Sequence, residues 1–512
     1  MGALFSKPEE TTAEGETPLM LACKNGNLEK VRYLVENAKA DIEIADNDGE
    51  TALMFAASNG NKDIVEYLVK SAGAIVDKRN KKGSSALFYA CDKEKGHLDI
   101  VKILLENAKE DLEITNNYGT TALMWAALNG KKDIVEYLVT SVRAVVDKRD
   151  NNGETALFYA CDKEKGHLDI VKILLENTKA GIEIADNDGT TALMLAALNG
   201  NKDIVEYLVK SADAIVDKRD NNGKTALMLA CENGNLDIAR FLLENTKADI
   251  EIADKDGTTA LMLAVSNGNK DIVEYLVKSA GAIVDKRDND GCTALIYACI
   301  NEDLNIARFL LENAEADIKI TNNDGTTALI FAALNGNKDI VEYLVKSAGA
   351  IVDKRNNDGE TAFIYACKNG HFDTARFFVE NAKADIEITN NDGSTALMYA
   401  ANYGKKDIVE YLVKSAGAIV DKRDNNGGTA FLVACEKGHL DTARFLLENT
   451  KADIEIADKD GTTALMWAAL NGKRDIVEYL VKSAGAVVDK RDNDGCTALL
   501  LACEKGHLDT GQ

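Results

Sequence analysis

An all-α solenoid of stacked helix pairs with protruding hairpin loops is the fold this sequence predicts. Three observations carry the expectation. A glycine opening a Gly-x-Thr-Ala-Leu phrase, with small variations, recurs at Gly15, Gly49, Gly83, Gly119, Gly153, Gly189, Gly223, Gly257, Gly291, Gly325, Gly359, Gly393, Gly427, Gly461 and Gly495. Each interval reads as two short helices followed by a tight return. Only 2 prolines occur in 512 residues, which speaks against proline-rich linkers between separate domains.

Twelve of the fourteen intervals are 34 residues and two are 36. The longer two hold Cys91 to His97 and Cys161 to His167, where Cys23-Lys24-Asn25-Gly26 has two residues fewer, so the extra residues fall in the turn between helices. The spacing assigns residues 14–512 to one solenoid of fifteen units, the last truncated, behind a flexible N-terminal segment, 1–13.

The unit from Gly49 to Gly83 justifies each element in order. Asp48-Gly49 is a turn signal, and Thr51 is a good N-cap for a first helix over Ala52 to Ser58. Asn59-Gly60 supplies the left-handed exit that ends it. Asn61 is placed to cap the second helix, and Asp63 sits in its first turn, where the helix dipole favours an acid. Ile64, Val65, Leu68 and Val69 form the apolar stripe that packs this helix antiparallel on the first. The return Ala74-Ile75-Val76-Asp77-Lys78-Arg79 then leads into the next glycine. A second period of two units is superposed: units with Cys in the first helix alternate with units whose second helix reads Lys-Asp-Ile-Val-Glu-Tyr-Leu-Val-Lys-Ser, as at Lys270 to Ser279. Duplication of a pair accounts for this.

These phrases, with Ala-Ala/Cys and Asp-Ile-Val at fixed offsets from about Glu14 onward, resemble the ankyrin-repeat family. The resemblance implies a curved stack whose hairpin tips and first helices line a concave face that binds protein. Two departures stand out. The family's Thr-Pro-Leu-His phrase survives in part at Thr17-Pro18-Leu19-Met20; elsewhere Ala takes the proline's place, and an apolar residue such as Met54, Phe88 or Ile330 stands for the histidine. Packing is expected to compensate.

Net charge and hydropathy narrow the function. With 60 basic and 84 acidic side chains the net charge is −24, which repels phosphate backbones and anionic headgroups and sets nucleic acid aside as a partner. No apolar run approaches the roughly 18–20 residues that span a bilayer. The N-terminus lacks the apolar stretch of a secretory signal, which points to the reducing cytosol or nucleus, and a cytoplasmic location is expected.

No constellation points to catalysis, a metal or a cofactor. Cys23, Cys91, Cys161, Cys231, Cys299, Cys367, Cys435 and Cys503 share one position in alternate units, about 20 Å apart in a stack of helices spaced roughly 8–10 Å, too far for disulfides. They read as small core residues, whereas Cys292 and Cys496, at turn tips, read as exposed. His97, His167, His371, His439 and His507 follow the inter-helix glycine and are equally too far apart to share a metal; they read as capping or surface residues. Gly223-Lys224-Thr225 imitates the end of a phosphate loop, but Lys218 stands where its upstream glycine is required. Acidic pairs repeat along a regular surface without converging on one pocket.

Three features are candidates for binding. Lys-Arg pairs at the returns, Lys78-Arg79, Lys148-Arg149, Lys218-Arg219, Lys286-Arg287, Lys354-Arg355, Lys422-Arg423 and Lys490-Arg491, form either a solvated edge paired with neighbouring Asp or a ladder for an acidic, extended partner. The position after Thr-Ala-Leu-Met is apolar and often aromatic, as in Phe55, Tyr89, Tyr297 and, above all, Trp125 and Trp467; it serves packing between first helices or partner anchoring. Met1-Gly2-Ala3-Leu4-Phe5-Ser6 fits an N-myristoylation signal on Gly2, and one such chain gives only weak, switchable membrane attachment.

The last unit ends at Gly511-Gln512 in place of a second helix, so either the chain is truncated or a partner covers that end. The function expected is a monomeric, non-catalytic scaffold that binds a protein on the concave face. Two other roles compete: a structural spacer between two attachment points, and the regulatory arm of a larger protein.

Overall fold

In a computed structural model the structure describes residues 11–92, 96–107, 113–162 and 166–507. The chain divides into two compact units, Met1–Lys255 and Asp256–Gln512. Among the described residues, fourteen α-helices run from Pro18–Lys24 to Leu236–Asn245 in the first, and fifteen from Ala260–Ser266 to Ala498–Glu504 in the second. Among the described residues the only β pairing is isolated bridges such as Ala45–Thr51 and Thr321–Thr327, each closing a turn. Each unit is therefore an all-α repeat solenoid.

The pair Ala52–Ser58 and Lys62–Lys70 shows how one repeat is made. Helices of 7 and 9 residues are below the length, about 12–15 residues, at which isolated helices become marginally stable, so packing must hold them. Leu53, Met54, Ala56 and Ala57 of the first helix and Ile64, Val65, Leu68 and Val69 of the second are buried. Burial of each larger side chain contributes about 1.5–3 kcal/mol. The stripe read from the sequence is the one that faces the core.

Thr51 caps the first helix as expected, its hydroxyl accepting the Met54 N–H at 3.4 Å. The methionine answers in kind: its Sδ accepts the Thr51 N–H at 3.4 Å. The same reciprocal cap joins Thr17 to Met20, Thr121 to Met124, Thr191 to Met194, Thr395 to Met398 and Thr463 to Met466. A side chain that reads as apolar filler thus supplies a weak acceptor at a buried cap.

The second helix is built differently from the expectation. Asn61 makes no side-chain cap; its Nδ2 donates to the Cys23 carbonyl at 2.6 Å, in the preceding repeat. Asn235 likewise reaches the carbonyls of Ala197 and Leu198 at 2.8 and 3.0 Å. His371 and His439 stand at the same position, and their Nε2 atoms lie 2.9 Å from the Leu334 and Asn402 carbonyls. In these repeats the residue after the inter-helix glycine satisfies a carbonyl orphaned at the end of the preceding first helix, whereas Asn27, Asp303 and Asn337 at the same position cap their own helices. Neither histidine caps its own helix. The glycine under this bond is required twice over: Gly336 has φ +78°, and a Cβ on it would run into the His371 ring.

The cysteines follow the stack. Cys23, Cys91, Cys161, Cys231, Cys299, Cys367 and Cys435 are buried, and burial pushes the Cys23 thiol up to about 12. Two expectations fail. Cys503 is exposed, at the end of the Ala498–Glu504 helix that packs on Ala464–Leu470. Cys292 is buried, because the residue before the Thr cap lies under the turn, where its N–H donates to Asp288 at 2.7 Å.

Candidate partner-binding surface

Every second return carries three charged residues in a row, Asp-Lys-Arg, and in the return at Asp217-Lys218-Arg219 they point along the stack in different directions. Asp217 accepts the Asp249 N–H of the following repeat at 3.2 Å, and burial raises its carboxyl above the usual range. Lys218 reaches back, donating to the Glu183 carbonyl at 2.6 Å and lying 3.2 Å from the Glu183 carboxylate. The other oxygen of that carboxylate accepts the Ile215 N–H at 2.8 Å. One glutamate therefore holds both the backbone and the lysine of the next return.

The lysine half of the predicted ladder is used in this way. Lys78 binds Glu43, with 3.3 Å between their charged groups. Lys148 donates to the Glu113 carbonyl at 2.5 Å, and Lys422 and Lys490 lie 3.2 Å from the carboxylates of Glu387 and Glu455. All these lysines, like Lys286, are half-buried. The partner is a glutamate of the preceding repeat, not a neighbouring aspartate, because the return lies against the Ile-Glu-Ile segment before it.

Lys354 departs from this pattern. The residue 35 positions earlier is Lys319, and among the described residues neither lysine has a side-chain partner. Lys354 is exposed where its counterparts are half-buried.

The arginines stay at the surface. Arg79, Arg149, Arg219, Arg287, Arg355, Arg423 and Arg491 are all exposed. Most also staple the turns: Arg149 donates to the Gly153 carbonyl at 3.0 Å and to the Ala185 carbonyl of the next repeat at 2.8 Å. Arg287 makes the matching bonds to Gly291 and Thr321 at 3.2 and 2.9 Å. A guanidinium has five donors, so two such bonds leave others facing solvent.

The aromatic position is half-buried at Trp125, Tyr159, Tyr297, Phe331, Tyr365, Tyr399 and Trp467. At three of them a polar atom donates to the aspartate nine positions earlier, in the turn of the same repeat: Tyr159 donates to Asp150 at 2.7 Å, Tyr297 to Asp288 at 2.6 Å, and Trp467 Nε1 to Asp458 at 2.8 Å. An Asp or Asn nine residues before each tyrosine was the available sequence signal. At Glu360, only 4% exposed, the arrangement thickens: Lys368 lies 3.5 Å from the carboxylate and 5.3 and 5.1 Å from the Tyr365 and Tyr399 ring centres. Such a cation between two rings holds both in place.

The family description "Ankyrin repeats (3 copies)" matches residues 3–80, 38–116, 72–150, 108–188, 179–256, 246–322, 314–390, 382–458 and 450–512. The chain belongs to the ankyrin-repeat family. Comparison with curated proteins found no match. Ankyrin repeats are protein-interaction modules, so the exposed arginines and half-buried aromatics of these repeats lie in a fold class that binds protein. Two expectations fall beyond the described residues of this ankyrin protein: the Gly2 signal, and the end of the last repeat after His507. A hollow of about 610 Å³ between the starts of the second helices, lined by Lys132, His167 and Lys202, borders residues outside that description. Among the described residues no helix is long and apolar enough to cross a membrane.

Proposed function

We propose that this ankyrin protein is a non-catalytic scaffold or adaptor that binds a protein partner on the surface made by its first helices and returns. The observation that carries the reading is the recurrence of exposed arginines at alternate returns beside half-buried aromatics in the first helices, which at Tyr159 and Tyr297 share a repeat with Arg149 and Arg287 and are held by their own turns. Rigid aromatics and arginines are the residues on which protein interfaces concentrate their binding energy. Trp125 and Trp467 are the largest of the half-buried aromatics, and the net charge of −24 favours protein over nucleic acid.

The proposed location is cytoplasmic, as a monomer, with weak membrane attachment if Gly2 is acylated. Labelling with a myristate analogue tests the last point, since Gly2→Ala must abolish it.

Deletion of residues 325–392, two whole repeats joined in register, tests the role. Affinity capture from the native cell by the full chain should yield a partner that the deletion, or its counterpart elsewhere, loses. The near-identity of the repeats favours a second reading, a spacer between two attachment points, and a spacer keeps its end-bound partners in every such deletion. A regulatory arm of a longer protein predicts a downstream domain in the transcript.

A further inference from the structure

The register at Lys354 lacks a group that its equivalents possess. In four other returns, a glutamate accepts the backbone N–H at 2.8–2.9 Å with one oxygen and pairs with the lysine at 3.2–3.3 Å with the other, as Glu43 does for Ile75 and Lys78 and Glu387 for Ile419 and Lys422. Where Glu387 stands in its own register, Lys319 stands in this one. Three donors are left where a carboxylate sits elsewhere: the ammonium groups of Lys319 and Lys354 and the Ile351 N–H, none of which has a side-chain acceptor among the described residues. The nearest acids are engaged, Asp317 with the Lys319 N–H at 2.9 Å and Asp353 with the Asp385 N–H at 3.2 Å.

Those donors border a cavity of about 250 Å³ whose other walls include Ile318, Leu329, Ala350 and Ile351. It is smaller than the roughly 300–1,000 Å³ of a small-molecule or cofactor site, and it suits a side chain. Two ammonium groups beside apolar walls are complementary to a carboxylate flanked by aliphatic residues.

We infer that the Lys319–Lys354–Ile351 pocket is a docking point for a glutamate on an extended, aliphatic segment of a partner protein, which occupies in trans the place that Glu387 and its equivalents occupy in cis. The repeats thereby display the bound geometry: one carboxylate oxygen on the Ile351 N–H, the other on Lys354, with Lys319 adding a second cation. Two close cations and a desolvated carboxylate make a charge-assisted contact that depends strongly on the acid.

The inference deepens the protein-binding role proposed above and rests on it, and the test separates the two. The probe is an acetylated, amidated peptide Ala-Asp-Ile-Glu-Ile-Thr-Asn, the sequence of residues 384–390, titrated into the full chain carrying isotopically labelled isoleucine δ1 methyls. The Ile318 and Ile351 methyls should shift saturably, while Ile75, Ile215 and Ile419, whose registers are filled, should not. The same peptide with Gln for its Glu, and the K319E variant with the original peptide, should each bind at least tenfold more weakly. K319E restores the internal glutamate, so loss of folding does not explain a negative result; circular dichroism confirms it. Equal shifts at Ile75 and Ile351, no saturable shift, or undiminished binding to K319E overturns the pocket. A captured partner whose binding ignores K319E also overturns the pocket and leaves the scaffold role standing; methyl shifts as expected with no partner captured by the full chain overturn the role, and with it the partner protein as the pocket's occupant.

Discussion

The Lys218 ammonium lies 3.2 Å from the Glu183 carboxylate and 2.6 Å from the Glu183 carbonyl oxygen, although the two residues are 35 positions apart in the chain. The contact joins successive repeats at the returns, away from the apolar contacts of their helices. It makes the basic edge part of the stacking interface, and leaves Lys354 as the departure.

Removing one such lysine should therefore cost stability where the glutamate is present and little where it is absent. Lys218→Ala should destabilise by about 1–2 kcal/mol, less than a fully buried charged hydrogen bond because both side chains are about one-third exposed. Lys354→Ala should lie within about 0.5 kcal/mol of the parent. Urea unfolding of the two variants, compared at constant m-value, checks the difference.

The inter-helix and return glycines should differ in their tolerance of alanine. Gly336 and Gly349 have nearly equal φ, +78° and +73°, so both substitutions carry the left-handed strain of about 1–2 kcal/mol. At Gly349 the added Cβ meets nothing within 4 Å, whereas at Gly336 it strikes the His371 ring and breaks the bond to Leu334. Thermal unfolding should thus rank Gly336→Ala below Gly349→Ala, by at least about 1 kcal/mol.

Alkaline pH should unfold the protein through its tyrosines. Burial, then the hydrogen bonds to Glu312 and Glu448, pushes Tyr343 and Tyr479 up to about 12. Burial and the turn acids push Tyr159 and Tyr297 higher still. A folded-state pKa above the unfolded value of about 10 means that the folded chain holds protons the unfolded chain releases. These groups contribute constant stability below pH about 10, and the contribution is lost as pH rises through about 12. Absorbance at 295 nm should show tyrosinate appearing together with loss of helix, and Tyr343→Phe should flatten the pH slope.

The cysteines give a count. Among those described, Cys503 is exposed and Cys496 half-exposed, while the other eight are buried thiols, seven of them in the first helices. A disulfide reagent at pH 8 should label two sites in the native protein and all ten after denaturation. Mass spectrometry identifies which two.

Much of this architecture was legible from sequence because it is local and periodic. The Thr51 cap, the Gly60 exit and the Ile64–Leu68 stripe each follow from residues within one helix turn of one another. The contacts that were not legible span a repeat. Asn61 reads as a cap from its neighbours, yet its acceptor, the Cys23 carbonyl, is 38 residues away. Lys78 reads as solvated because nothing nearby in the chain marks Glu43 as its partner. Met54 reads as apolar, since only the geometry of the cap brings its sulfur to the Thr51 N–H. The Glu-to-Lys change at Lys319 was visible as one letter, but it acquires meaning only once the other registers reveal what that glutamate does.

Residue-resolved lysine acetylation tests the central claim most directly, that the return lysines are held inside the stack and Lys354 is not. A brief pulse of acetylating reagent on the native full chain, read by quantitative mass spectrometry, should modify Lys354 several-fold faster than Lys78, Lys148, Lys218, Lys422 and Lys490, and K319E should slow Lys354 to their rate. Equal rates at all six lysines in the parent protein would contradict the account.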